Sequence, residues 1–259
     1  MSLPLQAFLS SFSNSALNPF EHGDEFSLLK LENLLKDYKF PPATGFNPDS
    51  YKLNYQAVSA DADTIKGSLD FSRKVAGTNI QYAFSIHRLI PKTFVYKVHG
   101  SLMAANNDFP SVVSWEGQSM ISPVDSEKPY LNSEKKIMGK VTGKNVVLKE
   151  NGKESKITLS SGNLTWKWGM IDMVRIMASK NIQSLEFSTL DEMDVIYPKQ
   201  KVSFRKSKML TTGEGEKVNF KVFDLIGDGV IPTVYWVDQF GRVVFIVTGL
   251  EAYMLMKSA

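Results

Sequence analysis

The stretch Ile231–Leu255, IPTVYWVDQFGRVVFIVTGLEAYML, constrains this chain more than any other. Its two arms, Ile231–Val237 and Arg242–Thr248, are rich in Val, Ile, Thr, Tyr, Phe and Trp, which suit a pleated, packed surface. Asp238-Gln239-Phe240-Gly241 between them fits a type I turn closed by a residue at positive φ. Side chains alternate faces along a strand. Thr233, Tyr235 and Val237 therefore oppose Val234 and Trp236, and Val243, Phe245 and Val247 oppose Val244 and Ile246. Neither face is polar, whereas a half-solvated antiparallel pair alternates apolar with polar. The hairpin must be covered on both sides, or line a cavity with one of them.

Two kinds of cover can be read along the chain. Strands are predicted at Tyr51–Ser59, Thr64–Ser72, Asn79–Arg88, Thr93–Met103, Pro110–Trp115, Gly117–Ser122, Lys135–Thr142 and Asn145–Glu150. Asn151-Gly152 marks a tight hairpin into Ser155–Leu159. More strands are predicted at Ser184–Thr189, Val195–Tyr197, Lys201–Lys206 and Lys217–Phe223. One helix is predicted over Thr165–Ser179, with Trp166, Met170, Met173, Val174 and Met177 on one face and Lys167, Asp172 and Arg175 elsewhere. Asn181 can end it. A second helix is predicted over Phe26–Tyr38, stopped by Pro41-Pro42. The expected organisation is an N-terminal helical extension, residues 1–45, and an antiparallel β-barrel-like domain, residues 46–259. The expected fold class is mainly β (α+β): a large curved antiparallel sheet or open β-barrel with one embedded amphipathic helix.

Composition narrows the classes. With 259 residues, 43% hydrophobic and 22% charged, the chain can bury a core without a staple. A net charge of +3, with basic and acidic residues interspersed, does not point to nucleic acid. The absence of cysteine excludes disulfides, thiolate catalysis and Cys–zinc sites, and fits many bacterial envelope proteins and some cytosolic ones. No run of about 18 apolar residues is present, so no transmembrane helix is expected, and membrane contact is peripheral or none. The N-terminus lacks the basic and apolar regions of a signal peptide. Met1-Ser2-Leu3 is expected to be an expression leader standing in place of a removed signal.

Catalytic motifs are weak throughout. His22, His87 and His99 lack the local spacing of a metal site, although His87 and His99 fall on adjacent predicted strands. Asp191, Glu192, Asp194, Asp224, Asp228 and Asp238 invite a paired-carboxylate reading, but Asp beside Gly more often serves a turn. Gly213-Glu214-Gly215 and Gly227-Asp228-Gly229 lack the strand–helix setting of a phosphate loop. No G-x-S-x-G occurs. No cofactor, no metal and no enzymatic activity are expected. The Trp–Met helix face is the more informative constellation, because methionine accepts varied apolar partners. Trp166, Met170, Met173, Met177, Tyr235 and Phe245 are the candidate ligand-lining residues, and plain core is the competing role for Trp166, Met170, Met173 and Met177.

The order of elements carries a resemblance. Strands, the embedded helix LTWKWGMIDMVRIMA, more strands and the terminal IPTVYWVDQFGRVVFIVTG hairpin resemble bacterial secreted proteins of unknown function in the group of open barrels that includes LolA and LolB. Tyr235-Trp236-Val237-Asp238 with Gly241-Arg242 is similar to a Y-W-x-D-x-x-G-R hairpin near the C-terminus of such proteins. The resemblance covers the chain from Tyr51 onward. It implies an incomplete barrel with an apolar concave face, in the periplasm or secreted, and carries no catalytic residues. Three functions stand open: binding of a lipid or other apolar small molecule; a structural or interaction module for a protein or glycan; and a carboxylate-based hydrolase. Oligomeric state is not readable from the sequence.

Overall fold

The structure of the protein is a computed structural model, which describes residues 38–59, 65–90, 94–124, 133–160, 162–211, 215–249 and 251–258. His22 and most of the predicted helix at Phe26–Tyr38 lie outside them. The chain divides into two compact units, Met1–Lys39 with Thr212–Glu216, and Phe40–Thr211 with Lys217–Ala259. The second unit holds all the strands and the helix named in this section.

Its strands are β1 (Ser50–Ser59), β2 (Ile65–Ala76), β3 (Asn79–Ile90), β4 (Phe94–Ala105), β5 (Val112–Pro123), β6 (Ser133–Thr142), β7 (Asn145–Glu150), β8 (Lys153–Thr158) and β9 (Leu164–Trp166). After the helix α1 (Met170–Lys180) come β10 (Ser184–Asp191), β11 (Val195–Thr211), β12 (Lys217–Gly227), β13 (Thr233–Val237), β14 (Val243–Thr248) and β15 (Glu251–Ser258). All fifteen form one open, curved sheet in the order β8-β7-β6-β5-β4-β3-β2-β1-β15-β14-β13-β12-β11-β10-β9. Neighbours are antiparallel except β9 and β10, which run parallel. Pairing of β1 with β15 joins the first strand of the sheet to the last, and so welds two meanders into one surface. The fold is therefore mainly β, with one helix among the described residues.

The sheet curls around α1. The helix packs on β13 and β14, and its Asp172 reaches Tyr51 on β1, Arg73 on β2 and Tyr82 on β3. The inward positions keep a period of two: Tyr51, Leu53, Tyr55 and Ala57 on β1, Leu69, Phe71 and Arg73 on β2, and Ile80, Tyr82, Phe84 and Ile86 on β3 are all buried. Three close approaches shape the inner face of β4–β6. The Phe84 ring would lie 3.0 Å from a Cβ at Gly100, Met193 Cε 2.6 Å from one at Gly117, and the Trp115 ring would overlap one at Gly139. Glycine there lets a large side chain from a neighbouring segment lie across the strand.

Several boundaries differ from expectation. The predicted helix start is β9 instead: Leu164, Thr165 and Trp166 pair with Ser188, Thr189 and Leu190. The helix begins after Gly169 and ends, as expected, at Asn181 in the left-handed region. Trp166 is therefore a strand residue and not part of the helix face. The strands predicted at Pro110–Trp115 and Gly117–Ser122 are one, β5. The predicted pieces Val195–Tyr197 and Lys201–Lys206 belong to the long β11, which bulges opposite β12 between Phe204 and Lys206. The Asp238–Gly241 turn forms as expected, with Gly241 at φ 82°.

Candidate binding site

The six residues singled out from the sequence are all buried, with Met170, Met173, Met177 and Phe245 at 0%, Trp166 at 2% and Tyr235 at 3% exposure. Trp166 stacks on Phe71 and sits 4.3 Å, centroid to centroid, from Phe84. The three methionines lie along α1 inside the curl. Tyr235 and Phe245 do not face one another: Tyr235 pairs with Ile246, and Phe245 with Trp236. They belong to opposite faces of the hairpin. The Trp236 and Phe245 face meets Phe220 and Phe40. None of the six lines the open clefts along β1 to β8.

A polar node inside the curl goes beyond the sequence expectation. Asp172 is fully buried. Its carboxylate accepts hydrogen bonds from Tyr51 Oη (3.0 Å), Tyr82 Oη (2.7 Å), Arg73 Nε (2.8 Å) and Arg175 Nε (2.7 Å). A buried charge demands this much compensation. Burial first, and then the Asp172 carboxylate, push the Tyr51 and Tyr82 hydroxyls well above the ordinary tyrosine value. Both phenols are held protonated, as donors. The node fastens helix to sheet, and Asp172 lines none of the clefts along β1 to β8.

The terminal hairpin holds a second buried pair. Asp238 Oδ1 accepts from the backbone of Phe240 and Arg242, and Oδ2 from Arg242 Nε at 2.9 Å. Arg242 Nη1 donates to the carbonyls of Pro41 and Pro42 and to Ser258 Oγ. The Asp and Arg of the Y-W-x-D-x-x-G-R pattern thus fix the turn and tie it to the start and end of this unit. The other carboxylates named from sequence include four that are also engaged: Asp191 with Lys167, Glu192 with Tyr96, Asp194 with Lys135, and Asp224 with Arg205. His87 and His99 are on one face of β3 and β4, offset by two positions, since His87 opposes Lys97 and His99 opposes Ser85. No group of three or more metal-ligating side chains occurs among the described residues.

Open space is found on the other face of the sheet. A trough of about 780 Å³ crosses β2 to β8 on the solvent side. One cross-strand row in it reads Ser72, Ala83, Ser101, Glu116, Met138, Lys149, Glu154, each residue opposite the next. The next row reads Lys74, Gln81, Met103, Ser114, Lys140, Val147. At about 4.8 Å per strand the trough spans on the order of 29 Å from β2 to β8. Small residues, Ser72 at its β2 end and Ala83, Ser101 and Ser114 further along, keep the floor low. Met103, Met138 and Val147 make it apolar, and Met138 is 55% exposed. Lys74, Lys140 and Lys149 line it without an ion pair among the described residues, with Lys149 opposite Glu154. Ser101 Oγ donates to Glu116. An adjoining cleft of about 580 Å³ adds His99, Gln118 and Lys136. The sequence signal for this trough is the small or apolar residues Ala83, Ser101, Met103, Ser114, Met138 and Val147 interspersed with Gln81, Glu116, Lys140 and Lys149 at outward positions of β3 to β7.

No family profile matches the sequence, and no characterised protein sequence does. Among solved structures, the chain is similar to a β-barrel-like protein of a domain of unknown function, DUF1849, from Brucella abortus. The likeness has a TM-score of 0.55 at 11% identity and covers 81% of this chain and 97% of that one. It shows a shared barrel-like fold. No helix among the described residues is long and apolar enough to cross a membrane.

Proposed function

We propose that this is a non-enzymatic binding protein of the bacterial envelope, LolA-like in character, which takes an amphiphile with one apolar chain and an anionic head along the outer trough. The observation that carries the proposal is the union of an apolar floor with lining lysines in one trough. A chain laid across Ala83, Met103, Met138 and Val147 removes apolar area from water on both partners, at about 25 cal/mol per Å². A carboxylate or phosphate head reaches Lys140 and Lys149 at the β6–β7 end through charge-assisted hydrogen bonds. The envelope setting draws support from the absence of cysteine and from the terminal hairpin's resemblance. Titration of delipidated protein with a fluorescent fatty acid tests the proposal. Saturable binding is expected, weakened about tenfold or more by Lys140→Glu with Lys149→Glu, as loss of about 1.5–3 kcal/mol of charge-assisted contact requires. Binding that never saturates, or that ignores both substitutions, contradicts it. The packing of the interior around α1 favours a second reading, a module that binds a protein or glycan by its surface; lack of fatty-acid binding would leave that one standing.

A further inference from the structure

The turn Asp191–Asp194, between β10 and β11, has an unusual backbone. Glu192 and Met193 are consecutive residues at positive φ, 49° and 73°. Such a turn asks for Asn or Gly, and side chains with a Cβ are strained there. What compensates is docking onto the far limb of the sheet. Met193 is buried at 2% exposure, its Cε lies against Gly117, and its carbonyl accepts a 2.8 Å hydrogen bond from Trp115 Nε1 on β5. Glu192 accepts from Tyr96 Oη on β4. Asp194 meets Lys135 Nζ on β6 at 2.6 Å, and Lys135 also meets Glu150 on β7. Burial raises the Tyr96 hydroxyl above its ordinary value, and the bonds to Asp194 and then Glu150 raise Lys135. Each of three successive residues thus holds a different strand.

These contacts tie one end of the sheet order to strands inside its other limb, since β4, β5 and β6 lie two to four strands in from β8. β8 and β9 are the two free ends of the sheet order. β9 runs near β5 without forming a ladder with it. The curl is closed along this seam by side chains and one carbonyl instead of by a row of backbone hydrogen bonds. Breaking it gives up no β-ladder and relieves two strained residues. We propose that the Asp191–Asp194 turn is a detachable clasp, and that the barrel opens at this seam in a step separate from unfolding. An opened seam uncovers the Trp166–Phe84 contact, the nearest apolar wall of the interior.

The absence of native cysteine makes a spin-label test clean. Labels are placed at Val195→Cys beside the clasp and Lys136→Cys across the seam, both exposed positions, and the distance distribution is read by double electron–electron resonance. One narrow distance is expected with the clasp intact. Adding Met193→Ala is expected to shift part of the population to a second, longer distance while far-ultraviolet circular dichroism stays unchanged. Glu192→Gln with Asp194→Asn is the milder release, used should Met193→Ala fail to fold. A single narrow distance in the release variants overturns the clasp, because something else then holds the seam. Global unfolding of both also overturns it, because opening is then not a separate step.

Discussion

At the scale of single residues, Asp172 does most to hold helix to sheet. One carboxylate answers two guanidinium groups and two phenols, all buried or nearly so. Asp172→Asn removes the charge and leaves Arg73, buried at 4% exposure, with only the exposed Asp49 carboxylate at 3.9 Å for a counter-ion. A loss of about 3–5 kcal/mol in urea unfolding is expected, the cost of a broken buried pair. The tyrosines predict a pH dependence. Their folded pKa values are raised above the ordinary value of 10.0, so the folded state keeps protons that the unfolded chain releases. Their contribution is fully present below about pH 10 and is lost as pH rises above it. Each raised tyrosine adds a slope of up to about 1.4 kcal/mol per pH unit there. Tyr51→Phe should flatten the alkaline fall in stability; an unchanged slope would mean that Tyr51 titrates as freely folded as unfolded. The strand predicted at Thr64–Ser72 stops one residue short of Arg73, which the longer β2 carries inward in step with Leu69 and Phe71. Its partner is hidden in the sequence too, because helix periodicity alone puts Asp172 beside the apolar face and not within it.

At the scale of elements, the terminal hairpin shows how far local chemistry reaches. Its arms, its turn and its lack of a polar face all follow from residues 231–248. What the two faces meet does not, since neither Phe40 nor α1 is a sequence neighbour. Nor does period-two alternation disclose β15, whose Ala252, Tyr253, Met254 and Leu255 are buried on both sides. The helix start eludes the sequence for a related reason: Trp166 suits helical spacing with Met170, and parallel pairing to β10 overrides it. The hairpin's own anchor can be tested. Arg242→Lys keeps the charge but loses the fork that holds Asp238 together with the Pro41 and Pro42 carbonyls. Destabilisation of about 2–3 kcal/mol is expected, with faster amide exchange in β13 and β14 before the rest of the sheet. Uniform exchange across all strands would show that the pair stabilises the whole fold and not this element.

At the scale of the whole unit, fifteen strands make one surface with two different faces. Against the inner face pack α1, the aromatic stack and the Asp172 node. The outer face keeps a trough with a methionine floor and lining lysines. The barrel-like class is readable from strand spacing and from one amphipathic helix. The face that carries the open trough is not, because a Trp–Met face suits a packed core and a lined cavity equally well. Only the register of β2 to β8 sets Ala83 diagonal to Met103 and Met138 diagonal to Val147, with Ser114 and Glu116 of β5 between the two pairs. The methionines make the two sides distinguishable in a single measurement. With methyl-¹³C methionine, the chain's 11 methionines can be followed by NMR while a spin-labelled fatty acid is added. Met103 and Met138 are predicted to lose their signals first and saturably, while Met170, Met173 and Met177 keep theirs. Bleaching of the three helix methionines ahead of Met103 and Met138 would place the ligand inside the curl and contradict the outer-face site.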